Sequence, residues 1–142
     1  MEKSLLEYLA IAIGAGIGFM YGEPNNMLYG VLALCAFDFI TGLMVACKRR
    51  KLSSKVGFHG FFKKMAIFIM ISLAHLIDKY IIGAGNTFMT AAMLYYSANE
   101  GISIVENCEK LGLPVPKKLK KILQQVKDDS DDDDKPNKPT KA

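Results

Sequence analysis

The sequence predicts an all-α membrane protein, a helical bundle of about four transmembrane helices, with three as the alternative. A basic amphipathic C-terminal helix and a disordered acidic tail follow the bundle. Hydrophobic residues make up 51% of the 142-residue chain and lie in four long runs. Charged residues, 23% of the chain, are concentrated between and after these runs. An apolar helix of about 20 residues can cross a bilayer. We therefore divide the chain into a membrane-embedded domain, 1–127, and a charged tail, 128–142.

The second apolar run, Met27 to Ala46, carries a single acid, Asp38, near its middle. An acid at a helix centre costs roughly 2.5–3.5 kcal/mol on insertion scales, whereas each Leu, Ile, Phe or Val returns roughly 0.3–0.6. The apolar residues of this run outweigh the acid only narrowly. An ionisable residue retained in a membrane helix usually has a function or a partner. Thr41 and Gly42 share the helical face of Asp38, so we expect that face to contact protein or water.

The first run, Leu5 to Tyr21, carries small residues at every fourth position. Such spacing lets two membrane helices approach closely. It predicts a helix–helix contact, either within one chain or between copies, through Ala10, Gly14, Gly18 and Gly22.

The segment between the second and third runs holds seven positive charges and no negative one. The positive-inside rule places this segment in the cytoplasm. Basic residues beside phenylalanines suit a membrane surface, and a nucleic-acid patch is the less favoured alternative. The basic residues assigned to the membrane surface here are Lys48, Arg49, Arg50, Lys51, Lys55, Lys63 and Lys64.

The third run, Met65 to Ile82, includes His75 and Asp78, which we expect to pack inside the bundle, with a proton site as the alternative. The fourth run, Thr87 to Val105, is the least apolar, so it either crosses the membrane or lies along its surface. Four spans and a cytoplasmic basic segment place both termini in the cytoplasm. The polar residues expected in or beside this run are Glu100, Ser103, Glu106 and Asn107.

Beyond Pro116, apolar residues at helical spacing alternate with lysines, which predicts a basic amphipathic helix suited to anionic lipid. The residues from Asp128 to Ala142 are of low complexity and are predicted to be disordered; the stretch from Asp131 to Lys135 also spells a protease-recognition tag. The lysines assigned to the membrane surface in this helix are Lys117, Lys118, Lys120 and Lys121.

The sequence offers no sign of an enzyme, because it has no nucleophile–base pair, phosphate-binding glycine loop or cluster of metal ligands. We expect no cofactor and no metal. The three cysteines match no zinc or disulfide spacing. The net charge of +4 arises from segregated charges and does not indicate nucleic acid as a partner.

Four short motifs occur in series along most of the chain. They are Asp-Phe-Ile-Thr-Gly at 38–42, Ser-Ser-Lys-Val-Gly-Phe-His-Gly at 53–60, Ser-Ile-Val-Glu-Asn at 103–107 and Leu-Gly-Leu-Pro-Val-Pro at 111–116. In their order and spacing the chain resembles the holins of phages of Gram-positive bacteria and of clostridial toxin loci.

This resemblance implies a protein of the bacterial cytoplasmic membrane that contacts lipid and associates with itself into lesions or pores. It implies a functional partner that crosses there, either an endolysin in timed phage lysis or a secreted toxin, and the sequence leaves that choice open. The alternative is a non-lytic membrane protein, such as a transporter subunit or scaffold. We hypothesise that four polar side chains are sheltered in monomers or dimers and line a wet lumen in the oligomer: Asp38, Thr41, Glu100 and Ser103. Loss of the proton gradient would shift the protonation of Asp38 or Glu100.

Overall fold

The structure, a computed structural model, describes residues 2–132 and confirms the all-α prediction: this part of the chain contains helices and no strand. The helix α3 continues beyond Leu76 as a π-helical segment, Ile77–Ile82. The five helices are α1 (Glu2–Tyr21), α2 (Asn26–Lys48), α3 (Ser54–Leu76), α4 (Thr87–Leu111) and α5 (Lys117–Asp132).

Three of these helices are long and apolar enough to cross a membrane. They are α1 from Ser4, α2, and α3 together with its π-helical extension, Ser54–Ile82. The helix α4 does not reach the same apolarity, in keeping with its description from sequence as the weakest span. The structure therefore supports a membrane protein with at least three candidate spans.

Local side-chain chemistry sets the ends of the helices. The Asn25 side chain accepts a hydrogen bond from the Leu28 amide at 2.8 Å and caps α2. The Ser53 hydroxyl accepts from the Val56 amide at 3.3 Å and caps α3. The apolar run that begins at Met65 is therefore the later part of a longer helix, because the capped helix begins at Ser54 and includes the end of the basic segment.

The core lies between α2, α3 and α4, and these three helices lie side by side over the same length of the bundle. At one end, the buried Asp78 carboxylate accepts hydrogen bonds from the amides of Phe88 and Met89, at 3.1 and 2.8 Å, and so caps the start of α4. At the other end, Lys48 Nζ donates to the last carbonyls of α4, those of Lys110 and Leu111, at 3.1 Å each. The buried apolar core comprises Val31, Cys35, Ile67, Ile71, Met89 and Met93.

The helix α1 lies at the edge of the bundle and packs on α3 and on its π-helical extension, where the ring centroids of Phe19 and Tyr80 lie 5.7 Å apart. The Tyr21 hydroxyl donates to the Phe68 carbonyl at 3.2 Å. At Gly22 the backbone has a positive φ of 71°, and a Cβ there would lie 2.8 Å from His75 Cε1. A Cβ at Gly14 or Gly18 would meet no atom within 4 Å, so the predicted contact of this stripe is made within the chain only at Gly22.

The helix α5 folds back along α4 and runs antiparallel to it. Lys120 of α5 pairs with Glu109 at 3.2 Å, and Lys127 donates to Asn99 at 3.1 Å. The predicted tail boundary is wrong, because the residues from Asp128 to Asp132 continue α5. The remainder of the predicted tail, 133–142, lies outside the described residues.

Candidate functional site: a buried polar cluster between three helices

A lysine and two carboxylates, each from a different helix, meet inside the bundle. Lys64 of α3 forms ion pairs with Asp38 of α2 and with Glu100 of α4. Lys64 is 8% exposed and Glu100 is 0% exposed. All three groups are therefore largely withdrawn from solvent.

An amide and a hydroxyl extend this arrangement along α2 and α4. Asn107 Nδ2 donates to Asp38 Oδ1 at 3.1 Å and to Thr41 Oγ1 at 3.2 Å. Thr41 in turn donates to the Phe37 carbonyl at 2.9 Å. Both carboxylate oxygens of Asp38 are thus paired. We refer to Asp38, Thr41, Lys64, Glu100 and Asn107 as the polar cluster.

The polar cluster is not fully satisfied. Glu100 Oε1 is buried and finds no hydrogen-bond partner in the described part of the chain. At formal charges the cluster holds two negative groups and one positive group, a net charge of −1. Buried ion pairs recover their desolvation cost only when every charge is well paired, so this cluster makes the closed bundle costly to maintain. An unpaired buried oxygen adds to that cost.

A cavity of about 260 Å³ adjoins the polar cluster near the start of α3. Its polar lining residues include Asp38, Lys64, Ser103 and Asn107 together with His59 and Lys63. A cavity of this size with polar groups on part of its wall can hold several water molecules. Water therefore has a place beside the charged groups, at the end of the bundle that carries the basic segment.

The structure brings together most of the polar residues that the sequence singled out. Gly42 faces Asn107, since a Cβ on Gly42 would lie 3.8 Å from Asn107 Nδ2, and Ser103 lines the adjoining cavity. Glu106 is the exception. By helical register it points to the opposite side of α4 from Glu100 and takes no part in the cluster's hydrogen bonds.

The placement of Lys64 at the membrane surface is wrong, because this side chain is the only cation of the polar cluster. It begins a buried stripe on α3 that continues through Ile67, Ile71, His75 and Asp78, with steps of three or four residues. That period was visible in the sequence, and extending the helix to Ser54 would have brought Lys64 into it. Lys63, its neighbour, is exposed as predicted for a surface lysine.

The other basic residues differ in what they contact. Lys48 caps α4, and Lys120 pairs with Glu109. The structure leaves the remaining predicted surface residues exposed, and their contact with lipid stays a prediction: Arg49, Arg50, Lys51, Lys55, Lys63, Lys117, Lys118 and Lys121. Over the described residues, no group of three or more His, Cys, Asp or Glu side chains is arranged to hold a metal ion.

Three helices apolar enough to cross a membrane, together with a charged cluster buried between α2, α3 and α4, are typical of a small multispanning helical membrane protein. The chain belongs to the bacteriophage holin family, whose sequence profile matches residues 15–128. The match extends from the last turns of α1 into α5 and so includes the whole polar cluster. The resemblance seen in the four motifs is thereby confirmed.

Relatives occur both in a phage and in bacteria. A protein of Bacillus phage phi105 described as a probable holin is 33% identical over 112 residues, which is 79% of this chain and 82% of that protein. An uncharacterized protein of Halalkalibacterium halodurans is 37% identical over 131 residues, 89% of this chain and 97% of its own. An uncharacterized 14.9 kDa protein of Clostridium perfringens is 33% identical over 127 residues, 87% and 96% of the two chains. No solved structure matches the chain significantly.

Proposed function

We propose that this protein is a holin that associates with itself in the bacterial cytoplasmic membrane and opens lesions through which an endolysin crosses. The observation that carries the proposal is the polar cluster, a buried group with excess negative charge inside a bundle of otherwise apolar helices. Family membership and the probable holin of phage phi105 support it. In a toxin locus the same lesion would pass a secreted toxin.

The polar cluster provides a physical reason for a two-state transition. In the closed chain, the carboxylates of Asp38 and Glu100 share one ammonium and are largely buried. In an oligomer whose helices surround a wet lumen, the same groups would be hydrated, and their cost would fall. Because every copy gains on hydration only when the lumen forms, opening is cooperative. That loss of the proton gradient shifts the protonation of Asp38 or Glu100 stays a prediction.

Packing at both ends of α4 supports a fourth span. Its first amides are capped by Asp78 at the end of α3, and its last carbonyls by Lys48 at the end of α2. If α2 and α3 cross the bilayer, α4 crosses beside them once α5 has left its outer side. The basic segment between α2 and α3 then lies in the cytoplasm, together with both termini.

This topology predicts the accessibility of two introduced cysteines in chains whose native cysteines are replaced by Ala. Ala84→Cys, in the turn before α4, is expected to react with a membrane-impermeant maleimide added to intact cells. Lys51→Cys, in the basic segment, is expected to react only after the cells are permeabilised. Labelling of Lys51→Cys in intact cells would contradict the orientation.

Contact between copies is proposed for the free stripe of α1. A Cβ on Gly14 or Gly18 would meet no atom of the rest of the chain within 4 Å, and small residues at this spacing allow close approach of two membrane helices. Ala10 is exposed on the same stripe. These residues are therefore available to a second α1 in the bilayer.

Controlled expression in a Gram-positive host tests the proposed function. Induction is expected to leave growth unaffected for a fixed interval, after which a potential-sensitive dye reports abrupt depolarisation. Co-expression with an endolysin that lacks its own export signal is expected to lyse the culture at that moment, whereas endolysin alone does not. Protein that accumulates in the membrane fraction while the potential holds would instead favour a non-lytic membrane protein.

A further inference from the structure

The helix α4 packs on two opposite sides. Its inner side carries Met89, Met93 and Glu100, which belong to the apolar core and the polar cluster. Its outer side is covered by α5. A Cβ on Gly101 would lie only 3.0 Å from Leu123 Cδ2, so the Leu123 side chain sits directly on the α4 backbone.

Polar contacts flank the apolar contact between Leu123 and Gly101 on the same side of α4. Lys120 pairs with Glu109, Lys127 donates to Asn99, and Lys127 Nζ lies 5.6 Å from the centroid of the Tyr95 ring. Ala98 and Val105 are buried, at 2% and 7% exposure, and share this side by helical register. We call the surface formed by Tyr95, Ala98, Asn99, Gly101, Val105 and Glu109 the outer face of α4.

The position of α5 conflicts with full insertion of α4 into lipid. Asn99 is the midpoint of α4, so docked α5 places Lys127 and the following Asp128 and Asp129 near the middle of the bundle's thickness. Charged side chains at that depth are costly when they face hydrocarbon. The α5 helix can therefore stay docked only while the outer face is on the water side, and it must leave that face when α4 crosses the bilayer.

We propose that α5 is a removable cover, and that a second copy of this chain takes its place on the outer face of α4. The inference rests on the proposed function, whose self-association step it assigns to a surface. A protein partner fits better than lipid, because Asn99 is polar and Glu106, by register, points to the same side. The docked Leu123 shows that this surface accepts an apolar helix face at close range.

The charged residues of α5 favour its release into the cytoplasm over its insertion into the bilayer together with α4. It bears five lysines and several aspartates on a helix whose Leu119 and Ile122 remain 44% and 49% exposed even when docked. Contact with α4 thus covers only part of its apolar stripe.

A reversible tether tests the proposal in the full chain. With Cys35, Cys47 and Cys108 replaced by Ala, Gly101→Cys and Leu123→Cys are joined by a short bis-methanethiosulfonate reagent, and the protein is inserted into dye-loaded vesicles containing phosphatidylglycerol. We expect the tethered chain to remain monomeric on native gels and the vesicles to retain dye. Reductant is expected to restore assembly and dye release. The control is Leu123→Cys alone carrying the same reagent, which should assemble without reductant.

The outcomes separate the two proposals. If the tethered chain assembles as readily as the released chain, the proposal that α5 is a removable cover is overturned, whether or not the vesicles release dye. If the released chain assembles and the tethered chain does not, but the vesicles retain their dye, the result supports α5 as a removable cover and counts against the holin function. A released chain that does not assemble overturns both.

A substitution in the intact chain gives a second, independent measurement. Leu123→Asp places a charge against the α4 backbone and is expected to speed assembly, whereas Gln125→Asp makes a charge change on the exposed side of α5 and is expected to assemble as the parent does. Equal assembly rates for the two variants would overturn the cover.

Discussion

Replacing Lys64 by Met is expected to bring depolarisation forward, at the same amount of membrane-bound protein. The substitution removes the only cation of the polar cluster and leaves Asp38 and Glu100 as two unmatched acids between three helices. Removing one partner of a buried ion pair destabilises a protein by about 3–5 kcal/mol. The closed bundle bears that cost, whereas a hydrated lumen largely relieves it. The measurement is the interval between induction and loss of dye signal, normalised to protein in the membrane fraction.

Two variants serve as controls for this prediction. Lys63→Met removes the same charge one residue away, from an exposed side chain, and is expected to keep the parental interval. The triple variant Asp38→Asn, Lys64→Met, Glu100→Gln removes all three charges and is expected to accumulate without opening, because hydration then offers little gain. A Lys64→Met chain that accumulates normally and opens at the parental time would refute a role for charge in the closed state.

The polar cluster shows what sequence reasoning can and cannot reach. The acid in the second apolar run drew attention because it is costly in a membrane helix, and Thr41 and Gly42 followed from helical spacing. Glu100 and Asn107 were found on their own helix in the same way. Their meeting with Asp38 was not predictable, because it depends on how α2 and α4 pack, and the pattern within one helix contains no information about its neighbour.

Lys64 was misplaced for a different physical reason. The positive-inside rule describes which side of the membrane a segment occupies, and it treats every lysine of the segment alike. Whether one of them turns into the bundle depends on where the helix begins, and the Ser53 cap lies a full eleven residues before Lys64. The long side chain then reaches two carboxylates that were assigned elsewhere.

The position of α5 on α4 could not be predicted from the sequence either. An amphipathic helix with lysines on one side fits an anionic lipid surface and the outer face of α4 equally well, because both offer an apolar contact with a polar rim. Gly101 favours the contact with α4, because a Cβ at this position would lie only 3.0 Å from Leu123 Cδ2 and the glycine leaves that space to Leu123. The same ambiguity is the basis of the proposed release, since a helix with two suitable partners can exchange one for the other.

Replacing Glu100 by Gln is expected to have the opposite effect to Lys64→Met and to delay or prevent depolarisation. Glu100 is fully buried, pairs with Lys64, and has a second oxygen without a partner. The amide removes one negative charge, so Asp38 and Lys64 remain as a matched pair. Leaving a buried polar group unsatisfied costs about 1–3 kcal/mol, and more for a charged group. The substitution therefore lowers the free energy of the closed state by an amount of this order, whereas it changes the free energy of the open, hydrated state little.

The delay is measured by the same dye assay, with Glu23→Gln as the matched control. That variant makes the identical change in the exposed turn between α1 and α2 and leaves the polar cluster and α4 untouched, so its interval is expected to be parental. An early opening of Glu100→Gln would contradict the charge argument, because general damage to the packing would advance both cluster variants. Opposite shifts for Lys64→Met and Glu100→Gln can arise only if the sign of the charge buried between α2, α3 and α4 sets the time of opening.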